Sequence, residues 1–483
     1  MWSRGCRGWR GSVAAGVVAC AALPFAAAIV RADTLESALV QAYINNPSLN
    51  SQRASVRVTD ENVPQALSGY RPKITVTGTG GQQSMSSNTR VVEPNLPANQ
   101  PPNSPATYAV QSGYNTPASY GATITQTLFN GFQTANKTRQ AESQVLAARA
   151  TLRVTEQNVL LSAATAYMNL LRDSAILDLQ RRNVEVLQEQ LRQTRDRFNV
   201  GEVTRTDVAQ SESRLAAGRS QVLAAEATYK ASVATYRQVI GVEPGHLTAG
   251  APVDRFSPGS LPGAVSLATA VHPSITTAQY TVDAAQLAVK VAEASLYPTV
   301  SVTGAYTKNY EVVGSLNTIE QYQATVLGTV SVPIYQGGAE YSLVRQAKET
   351  LGQRRLDLDT ARDTVRQSTV QAWGQLEAAK ATVDSAQAQV QAAEIALNGV
   401  REEARVGQRT TLDVLNAQQE LVNARVSLVG AQRDRVVSSY TLLASVGRLA
   451  PEVLGLHVPA YQPQVHYQQV RDTWFGLRTP DGR

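Results

Sequence analysis

Two long proline-free stretches constrain this chain more than any other feature of its 483 residues. Residues 118–243 contain no proline, and neither do residues 334–450. Because a proline inside a helix removes a backbone donor and clashes with the preceding turn, long helices can run through both stretches. Each stretch is strand-like at its start and then carries two helical patterns, separated by Gly201 in the first and by Gly407 in the second. Glycine readily adopts the left-handed conformation that follows many helix C-termini, so each stretch predicts a helical hairpin.

A seven-residue, mostly apolar repeat runs through the first helical pattern of each hairpin. The second series lies 206 positions after the first: Ala163, Leu170, Leu177, Val184, Leu191 and Phe198 are followed by Thr369, Leu376, Val383, Val390, Leu397 and Ala404. A sustained repeat of this period predicts helices that supercoil about their neighbours along one seam. A helix over residues 133–199 would be on the order of 100 Å long, at ~1.5 Å per residue.

The shared offset of 206 residues also indicates an internal duplication. It divides the chain into a first structural repeat over residues 33–240 and a second over residues 264–447. Residues 241–263 lie between the repeats and are dense in glycine and proline, which predicts a linker or an irregular equatorial belt segment. Residues 448–483 predict an irregular, disordered C-terminal tail.

Alternation of apolar and polar side chains predicts a strand pair in each repeat, at about residues 73–129 and 299–335. A helix precedes the first pair, and the long hairpins that follow the two pairs turn at about residues 201–207 and 407–413. The insert within the first pair, residues 81–118, is rich in Pro, Asn, Ser and Gln and predicts a surface loop. Four strands cannot close a membrane barrel, which needs about eight, so several chains must each contribute a sheet.

Residues 1–32 have the pattern of a secretory signal peptide. Three arginines precede an apolar stretch at about residues 13–30, and short residues precede Asp33. Both cysteines, Cys6 and Cys20, lie in this segment, so a chain cut before Asp33 has no thiol chemistry and no disulfide. The residues that end at Cys20 also resemble a lipoprotein cleavage box, which leaves lipidation of Cys20 open.

Catalytic, metal-binding and nucleic-acid functions have little support in the composition. The four histidines have no metal-ligand spacing: they are His246, His272, His457 and His466. No motif brings together a nucleophile, a base and oxyanion donors, so the sequence predicts neither an enzyme nor a cofactor. The formal net charge of +6 falls to about +2 without the four arginines of residues 1–32, and this gives a nucleic-acid partner little electrostatic attraction.

Several duplicated motifs carry a family resemblance. They are RFNVGEVTRTDV (197–208), its counterpart ARVGQRTTLDVL (404–415), and the strand ends TQTLFNGF (125–132) and SVPIYQGG (331–338). Together they resemble the TolC-type outer-membrane efflux proteins, also called the outer-membrane factor family. The resemblance extends from Thr34 to about Gly447.

The resemblance implies a mostly α-helical protein with a β part that acts as a homotrimer. Four strands per chain would build a 12-stranded outer-membrane β-barrel, and a long coiled-coil α-helical tunnel would continue it into the periplasm of a Gram-negative bacterium. The implied function is a passive exit duct of a tripartite efflux or type I secretion system. Its implied partners are an inner-membrane pump of the ABC or RND type, a periplasmic adaptor protein and outer-membrane lipid. The transported substrate is not implied.

The resemblance also implies a gate at the hairpin turns. Asp413 matches the first constricting carboxylate of the family, and Asn416 stands where the family has a second one. Arg409 matches the cation that links neighbouring hairpins, with Thr206 and Asp207 as its partners on the first hairpin. Asn416 carries no charge, so this gate is expected to have a single acidic ring, to leak more readily and to be blocked less by cations.

Two alternatives stay open at this point. Thr204 and Asp207, like Thr410 and Asp413, have the spacing of a helix capping box, which could explain these residues without any gate. A non-transport secreted coiled-coil structural or adaptor protein would also have apolar heptads. An adaptor has one hairpin per chain, however, whereas this sequence predicts two hairpins and a repeated strand pair.

Overall fold

The computed structural model describes residues 34–90, 108–313, 319–480 and 482. Within these residues the α-helices are α1 (Leu35–Asn45), α2 (Pro47–Asp60), α3 (Asn62–Leu67), α4 (Gln133–Asn199), α5 (Arg205–Ile240), α6 (Leu261–Val271), α7 (Pro273–Glu293), α8 (Ala339–Arg405), α9 (Thr411–Ser445) and α10 (Pro463–Val470). The strands are β1 (Lys73–Gly80), β2 (Gln83–Arg90), β3 (Tyr108–Asn115), β4 (Ala118–Asn130), β5 (Thr299–Tyr310) and β6 (Glu320–Ser331). The predicted signal peptide and Cys20 lie outside the described residues.

Two long helical hairpins dominate the fold. Helices α4 and α8 each contain 67 residues, and α5 and α9, with 36 and 35 residues, return along them. Helix α4 is therefore about 100 Å long at ~1.5 Å per residue, as the proline-free stretch predicted. No helix in the described ranges combines the length and the apolar character needed to cross a membrane.

The four predicted strands form one antiparallel sheet in the order β1-β4-β5-β6. The register places residues of like character in rows across the sheet. One row contains Ile74, Ile124, Gly304 and Val326, and the adjacent row contains Thr75, Thr123, Ala305 and Thr325. Because successive residues of a strand point to opposite sides, the sheet has one apolar face and one mainly polar face. Strand β6 ends at Ser331, before Pro333, which lacks a donor for the ladder.

The main hydrophobic core lies where the short helices α1 and α2 pack against the middle of α4 and the ends of α5 and α9. Tyr167 is fully buried there, with its ring centroid 6.5 Å from that of Tyr236. The Tyr167 hydroxyl donates to the Thr248 carbonyl at 2.6 Å. The predicted linker contributes to the same core through Val253, whose backbone N–H donates to Ser439 Oγ at 3.1 Å.

The prediction of a surface loop over residues 81–118 is wrong for most of its described part. Strands β2 and β3 pair over eight positions as a two-stranded ribbon that follows β1 and precedes β4. Backbone hydrogen bonds build this ribbon from polar residues such as those of QSMSSNTR (83–90), so the apolar alternation on which strand prediction depends is absent. Residues 91–107, which form the rest of the predicted loop, lie outside the described residues.

The prediction of an irregular, disordered tail over residues 448–483 is also wrong in part. Helix α10 packs on α2 and α4, and Val470 is buried. His466 Nδ1 lies 3.0 Å from the buried Asp60 carboxylate, and the Arg149 guanidinium stacks over the Tyr467 ring. A helix of eight residues is too short to be stable in isolation, so these tertiary contacts stabilise α10.

Candidate functional site at the hairpin turns

The two hairpins end in turns of the same geometry. Gly201 and Gly407 both have φ +80°, in the left-handed region that glycine tolerates best. The Glu202 N–H donates to the Arg197 carbonyl at 2.9 Å, and the Gln408 N–H donates to the Glu403 carbonyl at 2.9 Å. This pattern is the Schellman motif, which satisfies the last carbonyls of a helix and reverses the chain. Each glycine thus lets a 67-residue helix stop in a tight turn.

A capping box starts the returning helix of each hairpin. Thr204 donates its N–H and its hydroxyl to Asp207 Oδ2 at 2.9 and 2.6 Å, and its Oγ1 accepts from the Asp207 N–H at 3.3 Å. Thr410 and Asp413 repeat the arrangement at 3.0, 2.9 and 3.3 Å. Hydrogen bonds from the Thr410 backbone and side chain lower the pKa of the Asp413 carboxyl. Asp413 therefore stays anionic at neutral pH, whatever further role it has.

Arg409 lies beside the carboxylates of its own hairpin. Its Nε donates to Glu403 Oε2 at 2.8 Å, and this ion pair raises the pKa of the guanidinium, with a smaller contribution from Asp413. The predicted partners Thr206 and Asp207 are on α5, and the Asp207 carboxylate is engaged by Thr204. Within one chain the second turn is thus a local cluster of two acids around one arginine.

Asn416 connects the two hairpins within the chain. Its Oδ1 accepts from Arg214 Nη2 on α5 at 2.7 Å. The sequence reasoning missed Arg214, although it lies seven residues after Asp207 and therefore near it on the same helix face. Apolar contacts support this connection, because Leu415 of α9 packs with Leu215 of α5 in a small cluster of buried residues. Asn416 is thus hydrogen-bonded to a cation of its own chain.

A polar contact near each turn joins the two helices of the hairpin, at equivalent positions of the two repeats. Arg195 pairs with Glu212 at 2.5 Å in the first hairpin, and Arg401 donates to Gln418 at 3.0 Å in the second. Both pairs join the two helices of one hairpin, and the second pair lies 206 residues after the first. These contacts stiffen the turns and leave the outer face of each turn exposed to solvent.

Histidine and aromatic side chains outside the turns have structural contacts. Among the described residues, no three His, Cys, Asp or Glu side chains converge as metal ligands would. His272 has a structural contact: its Nδ1 accepts from the Ser274 N–H at 3.2 Å at the start of α7, and burial lowers its pKa. Phe129 and Phe132 meet edge to face at 5.4 Å at the junction of β4 with α4.

Comparison with known proteins identifies the family. A family model described as "Outer membrane efflux protein" matches residues 38–242 and 264–448. The chain is 44% identical over 451 residues to the outer membrane efflux protein BepC of Brucella suis biovar 1 (strain 1330), covering 93% of each chain. It is 26% identical over 438 residues to the outer membrane protein TolC of Escherichia coli (strain K12), covering 87% of this chain and 83% of TolC.

The fold is also similar to that of solved outer-membrane channels. The Campylobacter jejuni CmeC outer membrane channel superposes with a TM-score of 0.72 at 17% identity, over 91% of this chain and 89% of CmeC. At this identity the similarity concerns the fold alone. The match of the family model to both halves of the sequence shows that the chain belongs to the outer membrane efflux protein family, whose members lie in the outer membrane.

Proposed function

We propose that three copies of this chain form an exit duct through the outer membrane and into the periplasm. Their sheets would close a 12-stranded barrel, and their hairpins would form one coiled-coil tunnel. The duct conducts passively what an inner-membrane pump and a periplasmic adaptor deliver to it, in a tripartite efflux or type I secretion system. The names of the relatives support this function over that of a non-transport structural or adaptor protein.

The main support is a sheet with two different faces and two open edges. Large apolar side chains cover one face and are exposed in the single chain: Ile74, Val76, Tyr120, Ile124, Tyr306, Tyr322, Val326 and Val330. The other face is mainly Thr, Ser and Gln, with Leu327 as an exception. Lipid on one side and water on the other is the environment that suits such a sheet.

The open edges support an assembly of three chains. In the described residues β1 pairs with β4 alone and β6 with β5 alone, which leaves edge strands of 8 and 12 residues. Unpaired backbone groups cannot face lipid, so each edge needs a partner strand. Two chains would supply about eight strands, a barrel that side chains fill, whereas three supply about twelve and leave room for a lumen.

A direct test is the mass and conductance of the detergent-purified protein. We expect a particle with three times the mass of one chain that forms pores in a planar bilayer. Deleting β6, residues 320–331, removes the edge strand that would pair with the next copy and should abolish both the assembly and the pores. A monomer without pore activity would overturn the proposed duct.

The second hairpin turn would form the gate of this duct. Three copies of Asp413 around a threefold axis make an acidic ring, which attracts cations and resists closure by mutual repulsion. The Arg409 guanidinium near each Asp413 offsets this repulsion. Asn416 adds no charge, and its bond to Arg214 would hold the two hairpins of one chain together near the constriction.

The two capping boxes offer a matched test of the gate. Asp413→Asn and Asp207→Asn perturb equivalent turns, but only the first removes the proposed ring charge. We expect Asp413→Asn to weaken the block of the pore by divalent cations, measured in planar bilayers, and Asp207→Asn to leave the block unchanged. An equal block in the parent and in Asp413→Asn would remove Asp413 from the gate without affecting the proposed trimer.

A further inference from the structure

The segment after α10 presents three large apolar side chains to the outside of the chain. Trp474 is 65% exposed and Phe475 91%, and Leu477 is fully exposed. We call residues 474–477 the aromatic tail segment. Helix α10, directly before it, is held to the body of the protein by the buried Val470 and by the contact of His466 with Asp60. The segment is therefore exposed even though the chain is held in place a few residues before it.

Arg71 fixes the position of this segment relative to the membrane strands. Its Nη1 donates to the Thr473 carbonyl at 2.7 Å, and its guanidinium lies 4.8 Å from the centroid of the Trp474 ring. Strand β1 begins at Lys73, two residues after Arg71. The aromatic tail segment therefore lies at the end of the sheet from which the helices leave, which is the periplasmic side of the outer membrane.

The residues around the segment are of the kinds found at the boundary between a phospholipid layer and water. The apolar face of β1 starts with Ile74, which is 66% exposed, only about 10 Å along the strand from Arg71 at ~3.3 Å per residue. Tryptophan is favoured at the membrane–water boundary, where its ring is apolar and its N–H reaches water. Arg71 and Lys73 supply positive charge beside the segment, and Arg478 directly follows it in the sequence. Basic side chains next to a membrane attract anionic headgroups.

We propose that the aromatic tail segment binds the periplasmic leaflet of the outer membrane. Trp474 would lie at headgroup level, held by Arg71, and Phe475 and Leu477 would reach the acyl chains. Each chain would thus have a second membrane contact outside its barrel strands. The inference uses the membrane position of β1 and is independent of the proposed gate.

Tryptophan fluorescence can test the contact because the described residues contain two tryptophans, Trp373 and Trp474. Trp2 and Trp9 lie in the predicted signal peptide. The processed Trp373→Phe protein, reconstituted in phosphatidylethanolamine–phosphatidylglycerol vesicles, reports Trp474 alone. We expect phospholipids brominated on the acyl carbons nearest the headgroup to reduce its fluorescence strongly.

Trp474→Phe is the matched control, because it leaves Trp373, which is 34 residues into α8 and about 50 Å from its start at ~1.5 Å per residue. The fluorescence of Trp373 should be insensitive to brominated lipid. Equal insensitivity of Trp474 would overturn the proposal, and an emission that is blue-shifted but unquenched would assign the segment to a protein partner instead. A protein that conducts while Trp474 stays unquenched refutes this inference and leaves the proposed duct intact.

Two further variants in the Trp373→Phe background test how the segment is held. Arg71→Ala removes both contacts to residues 473 and 474 and should reduce the quenching of Trp474. Replacing Phe475 and Leu477 by serine should reduce it as well, because the apolar insertion is lost. Unchanged quenching in the serine variant would overturn the placement of these two side chains among the acyl chains.

Discussion

The two long hairpins have helices of equal length but very different surroundings. Helix α4 buries 21 side chains, whereas α8 buries eight. Helices α1, α2, α3 and α7 cover the first hairpin, which also contacts α9. Among the described helices, those that contact α8 substantially are α6, α7 and α9. Of the two helices that the duplication relates, α4 is therefore largely covered by other helices of the chain, and α8 is largely exposed.

The difference predicts where a neighbouring copy packs in the proposed trimer. Leu343, Leu356, Val370 and Ile395 of α8 are between 44% and 72% exposed in the single chain. Exposed apolar side chains along a heptad helix favour association with another helix. In the proposed trimer, the exposed side of α8 would pack against the first hairpin of the next copy. The apolar side of α4 is covered by helices of its own chain, and that of α8 would be covered by a neighbouring chain.

The largest effect is expected at the aromatic positions that the duplication relates, Tyr167 and Trp373. Tyr167 is fully buried and hydrogen-bonded, whereas Trp373 is only partly buried. Truncating a large buried aromatic side chain costs about 3–5 kcal/mol, so Tyr167→Ala should cause a large loss of stability and Trp373→Ala a smaller one. Thermal unfolding followed by circular dichroism measures both. A greater loss in Trp373→Ala would contradict the stated difference between the hairpins.

The next effect concerns assembly and not folding of the single chain. Leu356 is 69% exposed on α8, so Leu356→Asp should leave the helical circular dichroism of the chain intact. If the neighbouring copy covers this side chain, the buried charge costs several kcal/mol and the trimer dissociates in detergent. Leu356→Met keeps the apolar contact and is the control. A stable Leu356→Asp trimer in gel filtration with light scattering would show that Leu356 lies outside the interface.

A moderate effect is expected from the charges at the two turns. Arg409 has an ion pair with Glu403 next to Asp413, whereas the first turn has Val203 at the equivalent position. If Arg409 restrains the proposed gate, Arg409→Gln raises the single-channel conductance of the resting pore. Arg205→Gln, on the first turn, is the control and should not change it. Equal conductance of both variants and the parent would limit Arg409 to the structure of its own turn.

The smallest effect is a pH-dependent one at another duplicated position. Glu156 of α4 accepts from the Tyr43 hydroxyl at 3.1 Å, and burial raises its pKa above the ordinary 4.5. Because the folded protein then binds this proton more tightly than the unfolded chain, the stability contributed by Glu156 falls as the pH rises above about 4.5. Glu156→Gln should therefore raise the melting temperature at pH 7 and leave it nearly unchanged near pH 4.5.

Arg362 of α8 is the counterpart of Glu156 and pairs with Asp359 at 3.0 Å on the surface. A surface substitution of this kind usually changes stability by less than ~0.5 kcal/mol, so Arg362→Gln should have little effect at either pH. If Glu156→Gln raised the melting temperature equally at both pH values, Glu156 would destabilise the fold for a reason other than its ionisation.

Much of the fold was predictable because it follows from local rules. The absence of proline and the heptad repeat predicted two helices that the structure places at Gln133–Asn199 and Ala339–Arg405. Alternation predicted the four strands of the main sheet. The ribbon of β2 and β3 was missed because polar strands held by backbone hydrogen bonds have no apolar pattern, and α10 was missed because its stability comes from contacts with distant residues.

The candidate gate was only partly predictable. The spacing of Thr410 and Asp413 predicted a capping box, and the structure contains it. The role of Asp413 in a gate stays a prediction, since it depends on where three copies place the carboxylate. Arg214 could not be paired with Asn416 from sequence, because 202 residues separate them and only the packing of α5 against α9 brings them together.

The sequence by itself determined the long helices, the turns at Gly201 and Gly407 and the alternating strands, because each depends on backbone preferences and on periodicity along the chain. Only the tertiary structure decided which copy of the repeat is buried, which groups meet across the hairpins and where the C-terminal segment lies. Those features depend on contacts between residues far apart in the chain, and the two halves of a duplication make different contacts even where their local patterns agree.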